Sequence, residues 1–312
     1  MSPSAYRRIT LTAVVALGFI IVTGGAVRLT GSGLGCPDWP MCEADRVVAP
    51  WEYHAMVEFV NRTITGLVSV AVMLAVLGSL LRRPRRRDLV WLSLGLVGGV
   101  LGQIILGGLT VLFHLAPPLV MGHFLLSMVL LADAIVLHHR AGETGGDKRT
   151  APSVVSPELR LLGRLVVVVA GVAIFLGTVL TGAGPHGGDE DVERLPLFVP
   201  DVARLHGLSV MIFLALVLVT LWRLRRDGAP TGLLRRGDVL LVAVAAQAAV
   251  GYVQYFTGVP VVLVGVHILG ATVVWATALR FLLGFSAVEA PAAGAEAPGT
   301  GRGHRAALLP SN

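Results

Sequence analysis

The nine histidines of this chain fall into two groups by their position relative to the apolar segments. Six lie in connections, at segment ends or in the C-terminal tail, where a plain polar role fits: His54, His114, His138, His139, His186 and His304. The other three, His123, His206 and His267, lie inside apolar runs. Ionisable side chains at membrane depth are costly and are therefore candidates for function. These three histidines are the first candidates for chemistry.

His206 and His267 belong to the same half of the chain and could face each other across a four-helix bundle. Bundle cores commonly hold cofactor sites built from facing helices, and a pair of neutral imidazoles suits a six-coordinate haem iron. Taken singly, each histidine could be a hydrogen-bonded polar residue of the core. As a set at similar depth, His123, His206 and His267 favour haem.

Glu58, Asn61 and Arg62 form a second polar group, and their i, i+3, i+4 spacing places them on one helix face. Asn61 lies near the position equivalent to His206. One interpretation is an interfacial salt bridge that anchors the helix end. The other is a reaction pocket in which Glu58 handles protons and Arg62 pairs with a haem propionate. Asparagine is a weak iron ligand, so this half would suit a substrate haem better than a fixed one.

Cys36 and Cys42 are the chain's two cysteines, and both lie in one short segment. On the oxidising side of a membrane such a pair can close a small disulfide loop. A structural staple is the favoured interpretation, and a redox-active or haem-handling role stays open.

The elements that position these residues are membrane spans. The composition is 54% hydrophobic and 14% charged, whereas soluble domains carry roughly 25% charged residues. Eight runs reach the length of about 20 residues that a span needs: 9–30, 57–81, 89–113, 119–139, 159–181, 202–222, 237–257 and 260–284. The first run could be a cleaved signal peptide, but its length and its counterpart in the fifth run favour a retained helix.

The basic residues predict how the spans are oriented. With the N-terminus in the cytoplasm, 20 of the 25 Lys and Arg residues lie on the cytoplasmic side. The exceptions are Arg28, Arg46, Arg62, Arg194 and Arg204. This distribution fits the positive-inside rule and predicts a plasma-membrane protein with both termini cytoplasmic. The net charge of +6 does not indicate a nucleic-acid partner, because the basic clusters lie where anionic lipid headgroups do.

An internal repeat relates the two halves of the chain. Three positions match at an offset of 144: Gln103, Gly107 and His123 correspond to Gln247, Gly251 and His267. The segment Leu29–Gly33 resembles Leu180–Gly184 at an offset of 151. Four spans per repeat give both halves the same topology, a parallel repeat. The predicted fold is an all-α integral membrane protein of eight transmembrane helices in two pseudo-symmetric four-helix bundles.

The expected domains follow from this repeat. Residues 1–140 form the N-terminal half, 141–158 a cytoplasmic linker, and 159–285 the C-terminal half. Residues 286–312 are rich in Ala, Pro and Gly and are expected to be a disordered cytoplasmic tail.

The segment 24–40, Gly-Gly-Ala-Val-Arg-Leu-Thr-Gly-Ser-Gly-Leu-Gly-Cys-Pro-Asp-Trp-Pro, resembles the haem A synthase family, whose members mature haem for cytochrome c oxidase. The segments Glu58–Arg62, Gln103–His123 and Gln247–His267 support the resemblance, which extends to about residue 284.

The resemblance implies oxidation of the C8 methyl of haem O to a formyl group by successive hydroxylations. It implies a resident haem b on His206 and His267, and substrate haem O in the first half with His123 on its iron. It also implies that Glu58 assists catalysis and that Cys36 and Cys42 are the family's loop pair. The expected partners are an upstream haem O synthase, an unidentified electron donor, membrane lipid and a second copy of the chain.

The chain departs from the family motif Glu-x-x-His-Arg, because Asn61 stands in place of the histidine. The substrate iron would then be five-coordinate or weakly held, or His54 or His114 would substitute. Some family members also have cysteines in the second outer loop, and this chain has none there.

Two competing functions remain. A dihaem cytochrome b-like electron-transfer subunit explains the histidines but not Asn61 beside Glu58 and Arg62. A small-molecule transporter with parallel repeats predicts no haem absorbance.

Overall fold

The computed structural model describes residues 1–44, 46–143 and 155–286, and these residues form eight helices. They are α1 (Pro3–Leu29), α2 (Tyr53–Leu81), α3 (Arg87–Leu112), α4 (Pro117–Ala141), α5 (Pro157–Ala183), α6 (Val199–Arg226), α7 (Thr231–Phe256) and α8 (Val261–Leu283). All eight are long and apolar enough to cross a membrane. The predicted all-α fold with eight spans is confirmed. The linker residues 144–154 and the tail residues 287–312 lie outside the described residues.

The local sequence signals at the helix starts also repeat. Ser2 and Ser156 cap α1 and α5, their hydroxyls accepting hydrogen bonds from the N–H groups of Ala5 and Leu159. In both helices a proline occupies the first turn, where its missing N–H costs nothing. The first helix of each repeat therefore begins by the same mechanism.

The helices form two rings of four. In half one (α1–α4), consecutive helices pack together and α4 returns to α1; in half two (α5–α8), consecutive helices pack and α8 returns to α5. The halves meet through α1 with α8, α4 with α8, and α4 with α5. This pattern is the one expected of two copies related by a pseudo-two-fold axis, and it confirms the predicted pair of four-helix halves.

Each half has its own apolar core, and apolar side chains also cover the outside of the bundle. Leu67 and Val242, for example, are 66% and 69% exposed, as suits a surface solvated by lipid. Between the halves, the indole Nε1 of Trp275 donates to the carbonyl of Met128 at 2.9 Å. We call the end of the bundle that carries Cys36 and Cys42 the disulfide end, and the opposite end the basic end.

Candidate functional site

His206 on α6 and His267 on α8 face each other across the interior of half two. Their ring centroids are 6.5 Å apart and their planes are inclined at 66°. Because a metal–imidazole nitrogen bond is about 2 Å long, two axial imidazoles on one metal have centroids about 6 Å apart. The observed separation therefore fits one iron between the two rings.

A backbone contact fixes which nitrogen of His206 is free. Nδ1 lies 3.0 Å from the carbonyl oxygen of Ala173, and a carbonyl only accepts, so Nδ1 carries the proton. Nε2 then presents its lone pair, the arrangement that orients metal-bound histidines. In His267, the buried Nδ1 has no hydrogen-bond partner among the described residues, so this ring is held by packing.

Each of the three candidate histidines rests on a glycine of the neighbouring helix. A Cβ at Gly107 would lie 3.2 Å from Cε1 of His123, and one at Gly251 would lie 3.1 Å from Cε1 of His267. A Cβ at Gly177 would lie 3.3 Å from Cε1 of His206. The glycines matched by the sequence repeat are thus the positions where an imidazole packs against helix backbone. The sequence patterns did not single out Gly177 or Ala173. Gly177 lies three residues before Leu180, so extending the alignment of Leu29–Gly33 with Leu180–Gly184 toward the N-terminus would have included it.

A glutamine fixes the register of the helix pair that carries each repeat-related histidine. Nε2 of Gln103 donates to the carbonyl of His123 at 3.0 Å, and Nε2 of Gln247 donates to the carbonyl of His267 at 2.9 Å. In half one the same nitrogen also donates to Oγ of Ser127 at 2.8 Å. The repeat predicted from the sequence is therefore the same physical contact made twice.

Glu58 and Arg62 form an ion pair that anchors the loop of the disulfide end. Oε2 of Glu58 accepts from the N–H of Cys36 at 2.8 Å, and Oε1 accepts from Nε and Nη2 of Arg62 at 3.1 and 2.5 Å. Arg62 also donates to the carbonyls of Cys36, Asp38 and Met41, at 2.9, 3.2 and 3.0 Å. The five N–H donors of a guanidinium are all engaged. Arg62 therefore has no donor left for a haem propionate.

The disulfide Cys36–Cys42 is formed, with an S–S distance of 2.00 Å, as the sequence predicted. Both cysteines are buried against Ala49 and Ala55. A Cβ at Gly35 would overlap the carbonyl oxygen of His54, so the loop lies directly on the backbone of α2. Only glycine permits this close approach.

Asn61 lies apart from the Glu58–Arg62 pair. It lines a largely apolar groove of about 540 Å³ between α1 and α2. Its buried Oδ1 has no hydrogen-bond partner in the described part of the chain. The structure thus joins two members of the predicted polar group and directs the third to a separate cavity.

A second difference accompanies Asn61. Oγ1 of Thr30 donates to the carbonyl of Ala26 at 3.0 Å, and Oγ1 of Thr181 donates to the carbonyl of Gly177 at 2.7 Å. These equivalent bonds place Ala26, which also lines the groove, at the repeat position of Gly177. Half one therefore has alanine and asparagine where half two has glycine and histidine.

The remaining described histidines make local contacts. Nδ1 of His54 lies 2.9 Å from Oγ of Ser32, and Nδ1 of His138 lies 3.0 Å from Oγ1 of Thr10. Nε2 of His139 lies 3.7 Å from Oε1 of Glu143. Nε2 of His186 donates to the carbonyl of Val259 at 2.9 Å. His114 occupies the α3–α4 turn with φ 48°. His304 lies outside the described residues.

Comparison with known proteins decides the family. The COX15-CtaA family, described as cytochrome oxidase assembly protein, matches residues 7–52 and 48–185. The chain belongs to this family. The segment 24–40, on which the predicted resemblance to haem A synthases chiefly depends, lies within the first matched range, and that resemblance is confirmed.

Several haem A synthases are similar to this chain. That of Listeria monocytogenes serotype 4a is 27% identical over 271 residues, which cover 82% of this chain and 88% of the relative. That of Shouchella clausii is 25% identical over 259 residues, or 79% and 86% of the two chains. That of Alkalihalophilus pseudofirmus is 28% identical over 153 residues, or 48% and 52%.

Proposed function

We propose that this protein is a haem A synthase, which oxidises the C8 methyl of haem O to a formyl group by successive hydroxylations. The observation that carries the proposal is the asymmetry between the halves. Half two presents the facing pair His206 and His267. Half one has His123 on α4 and, between α1 and α2, an open groove lined by Asn61. One fixed haem and one exchangeable haem are what such an enzyme needs.

The resident haem b would be held by His206 and His267. When bound, it supplies one-electron chemistry that side chains cannot. The protein's part is to orient the ligands: Ala173 sets the tautomer of His206, and Gln247 holds the backbone of His267 against α7. The ring separation of 6.5 Å supports this assignment.

The substrate haem O would lie in half one, with His123 on its iron. Asn61 is a weak ligand, so it would let the porphyrin leave after oxidation. The groove beside Asn61 is apolar and lies between α1 and α2, which suits a largely apolar substrate that arrives through the membrane.

Glu58 would assist catalysis by positioning the disulfide loop and by exchanging protons at this end of half one. Both of its carboxylate oxygens are engaged with Cys36 and Arg62, which supports the positioning part. Cys36 and Cys42 close that loop, and the favoured role of the disulfide is structural.

The site would lie near the outer face of the plasma membrane, with both termini cytoplasmic. The concentration of basic residues at the opposite end and the disulfide support this orientation. The proposed partners are an upstream haem O synthase, an electron donor that the sequence does not identify, and a second copy of the chain. Membership of a cytochrome oxidase assembly family supports the first of these partners, the haem O synthase.

The test is to coexpress the chain with a haem O source, extract the membrane haems with acid–acetone and separate them by chromatography. Haem A or its hydroxylated precursor is expected, and neither should appear without this chain. If folded, reducible protein yields only haem b and unconverted haem O, the dihaem electron-transfer alternative is favoured instead.

A further inference from the structure

Two arginines meet at the disulfide end, and neither has an acidic partner among the residues that the structure describes. Arg28 lies in the last turn of α1, and Arg194 lies in the connection between α5 and α6. Both are partly buried, and their positive charges repel each other. Neither forms an ion pair with any other described residue. Of the acidic residues in the same connection, Glu190, Asp191 and Glu193 are exposed. Asp189 is half-buried and accepts a hydrogen bond from the N–H of Asp191.

The backbone between the two arginines is shaped to hold them. A Cβ at Gly187 would overlap Nη1 of Arg194, and a Cβ at Gly188 would lie 3.5 Å from Cγ of Arg28. The N–H of Gly33 donates to the carbonyl of Gly188 at 2.9 Å, which ties the connections of the two halves together. Gly188 has φ 109°, a conformation that glycine adopts readily. The packing at Gly187 and Gly188 thus brings the two positive charges together.

Arg28 has donors to spare, in contrast to Arg62. Its Nη2 donates to the carbonyl of Thr181 at 2.8 Å. Its Nε is buried without a partner in the described part of the chain. Buried polar groups are nearly always hydrogen-bonded, so an orphaned guanidinium nitrogen calls for an explanation. An anionic ligand would satisfy it.

The face of α5 shows where such a ligand would lie. Ala173, Gly177 and Thr181 are spaced four residues apart and so share one helix face. The carbonyl of Ala173 accepts from His206, Gly177 lies against the ring of His206, and Thr181 accepts from Arg28. Four residues rise about 6 Å along a helix. Arg28 is thus anchored about one turn beyond Gly177, toward the disulfide end.

The contacts between α1 and α8 also locate Arg28 near the haem-binding candidates. A Cβ at Gly25 would lie 2.9 Å from Cδ1 of Ile268, and Ile268 directly follows His267 in the chain. Arg28 lies one turn beyond Gly25 on α1. Arg28 therefore lies about one helical turn from residues that adjoin His206 and His267, although it belongs to half one.

We propose that Arg28 and Arg194 bind the two propionates of the haem held by His206 and His267. The inference rests on the proposed resident haem in half two. Guanidinium groups bind carboxylates by paired, charge-assisted hydrogen bonds, and two arginines match the two carboxylates of one porphyrin. The cofactor site of half two is then completed by a residue of half one.

The test uses Arg28→Gln and Arg194→Gln in the full-length protein, with Arg204→Gln as the matched control. Arg204 is at the same end of the bundle, two residues before His206, but its side chain is 79% exposed and paired with Asp201. A nearby cation favours the reduced haem, so each test variant should have a lower midpoint potential and at least tenfold weaker haem retention. Arg204→Gln should match the wild type in both.

A second measurement keeps the test informative even if Arg28→Gln does not fold. Wild-type protein prepared from haem-deficient cells is titrated with haem b and with its dimethyl ester, which lacks the two carboxylates. Haem b should bind at least tenfold more tightly than the ester. Arg194→Gln should discriminate less between the two, and Arg204→Gln should discriminate as the wild type does.

The results separate this inference from the function on which it rests. If His206→Ala loses its haem while the wild type binds the ester as tightly as haem b, the propionate assignment is wrong and the haem site stands. An unchanged potential in folded Arg28→Gln and Arg194→Gln would overturn it in the same way. Wild-type protein that binds neither compound would overturn the proposed haem site itself.

Discussion

Each half is a ring of four helices, and the two rings differ in one pair of helices. In α3–α4 and in α7–α8, a glutamine holds the backbone of a histidine whose ring rests on a glycine. In half two, α5–α6 adds a second histidine that rests on a glycine, His206 on Gly177, and here the carbonyl of Ala173 orients the ring. In half one, α1–α2 offers Ala26 and Asn61 beside a groove. If the proposed function holds, this change at two positions lets a duplicated scaffold hold one haem firmly and release another.

The strongest test of this comparison is to convert half one into a copy of half two. Asn61→His supplies the missing imidazole, and Ala26→Gly removes the Cβ that would crowd its ring. The double variant should retain a second tightly held haem with a low-spin spectrum and form less haem A. Haem content per chain and the low-temperature spin-resonance spectrum measure the first effect. Ala26→Gly alone is the control, and a double variant with wild-type haem content would contradict the comparison.

Glu58→Ala should give the next largest effect, confined to half one. It removes the acceptor for the Cys36 N–H and leaves part of Arg62 unpaired, and breaking a buried ion pair costs on the order of 3 kcal/mol. Thermal unfolding of detergent-purified protein measures the loss of stability, and haem A yield should fall. The haem b signal of half two should stay.

Glu58→Gln separates the two roles proposed for this residue. The amide oxygen can still accept from the Cys36 N–H, so the loop should remain in place and stability should fall less than in Glu58→Ala, although the charge and part of the pairing with Arg62 are lost. A haem A yield that falls as far as in Glu58→Ala despite this smaller loss of stability would support a proton-exchanging role. Normal yield would leave Glu58 with the positioning role alone.

Gly251→Ala tests the packing of a histidine in half two. The added methyl lies 3.1 Å from His267 Cε1, and overpacking typically costs about 1–3 kcal/mol. The haem b absorbance should shift and haem should dissociate faster. Gly207→Ala, beside His206, is the control because no described residue beyond its own helix neighbours lies within 4 Å of its Cβ position. Equal effects of the two substitutions would show that helix propensity, and not contact with the imidazole, is responsible.

The glutamines should give the smallest difference. Gln247→Leu loses the bond to the His267 carbonyl, whereas Gln103→Leu loses bonds to both His123 and Ser127. With each bond contributing about 1 kcal/mol, Gln103→Leu should lower the free energy of unfolding more. Thermal unfolding of the two variants measures this, and the reverse order would contradict the assigned contacts.

The sequence predicted the parts of this structure that depend on periodicity. Hydropathy located the eight spans, because length and apolarity alone define a membrane helix. A fixed offset found Gln103, Gly107 and His123 together with their counterparts, because the two helix pairs make the same contact. The disulfide followed from the spacing of Cys36 and Cys42.

What the sequence did not predict depends on how the connections fold. A helix wheel groups Asn61 with Glu58 and Arg62. In the structure, Glu58 and Arg62 form hydrogen bonds to the disulfide loop, whereas Asn61 lines the groove. Arg194 appeared only as an exception to the charge distribution, and Arg28 as another exception and as one residue of the segment 24–40. Their proximity depends on the contact between Gly33 and Gly188, which no periodic pattern records.

The most direct test of two haems with different roles is to identify the haems retained by His123→Ala and by His267→Ala. Both variants are purified from cells that supply haem O, and their haems are extracted and separated. We expect His123→Ala to keep haem b and lose haem O and haem A. We expect His267→Ala to lose haem b. Loss of the same haem from both variants would contradict the division of labour between the halves.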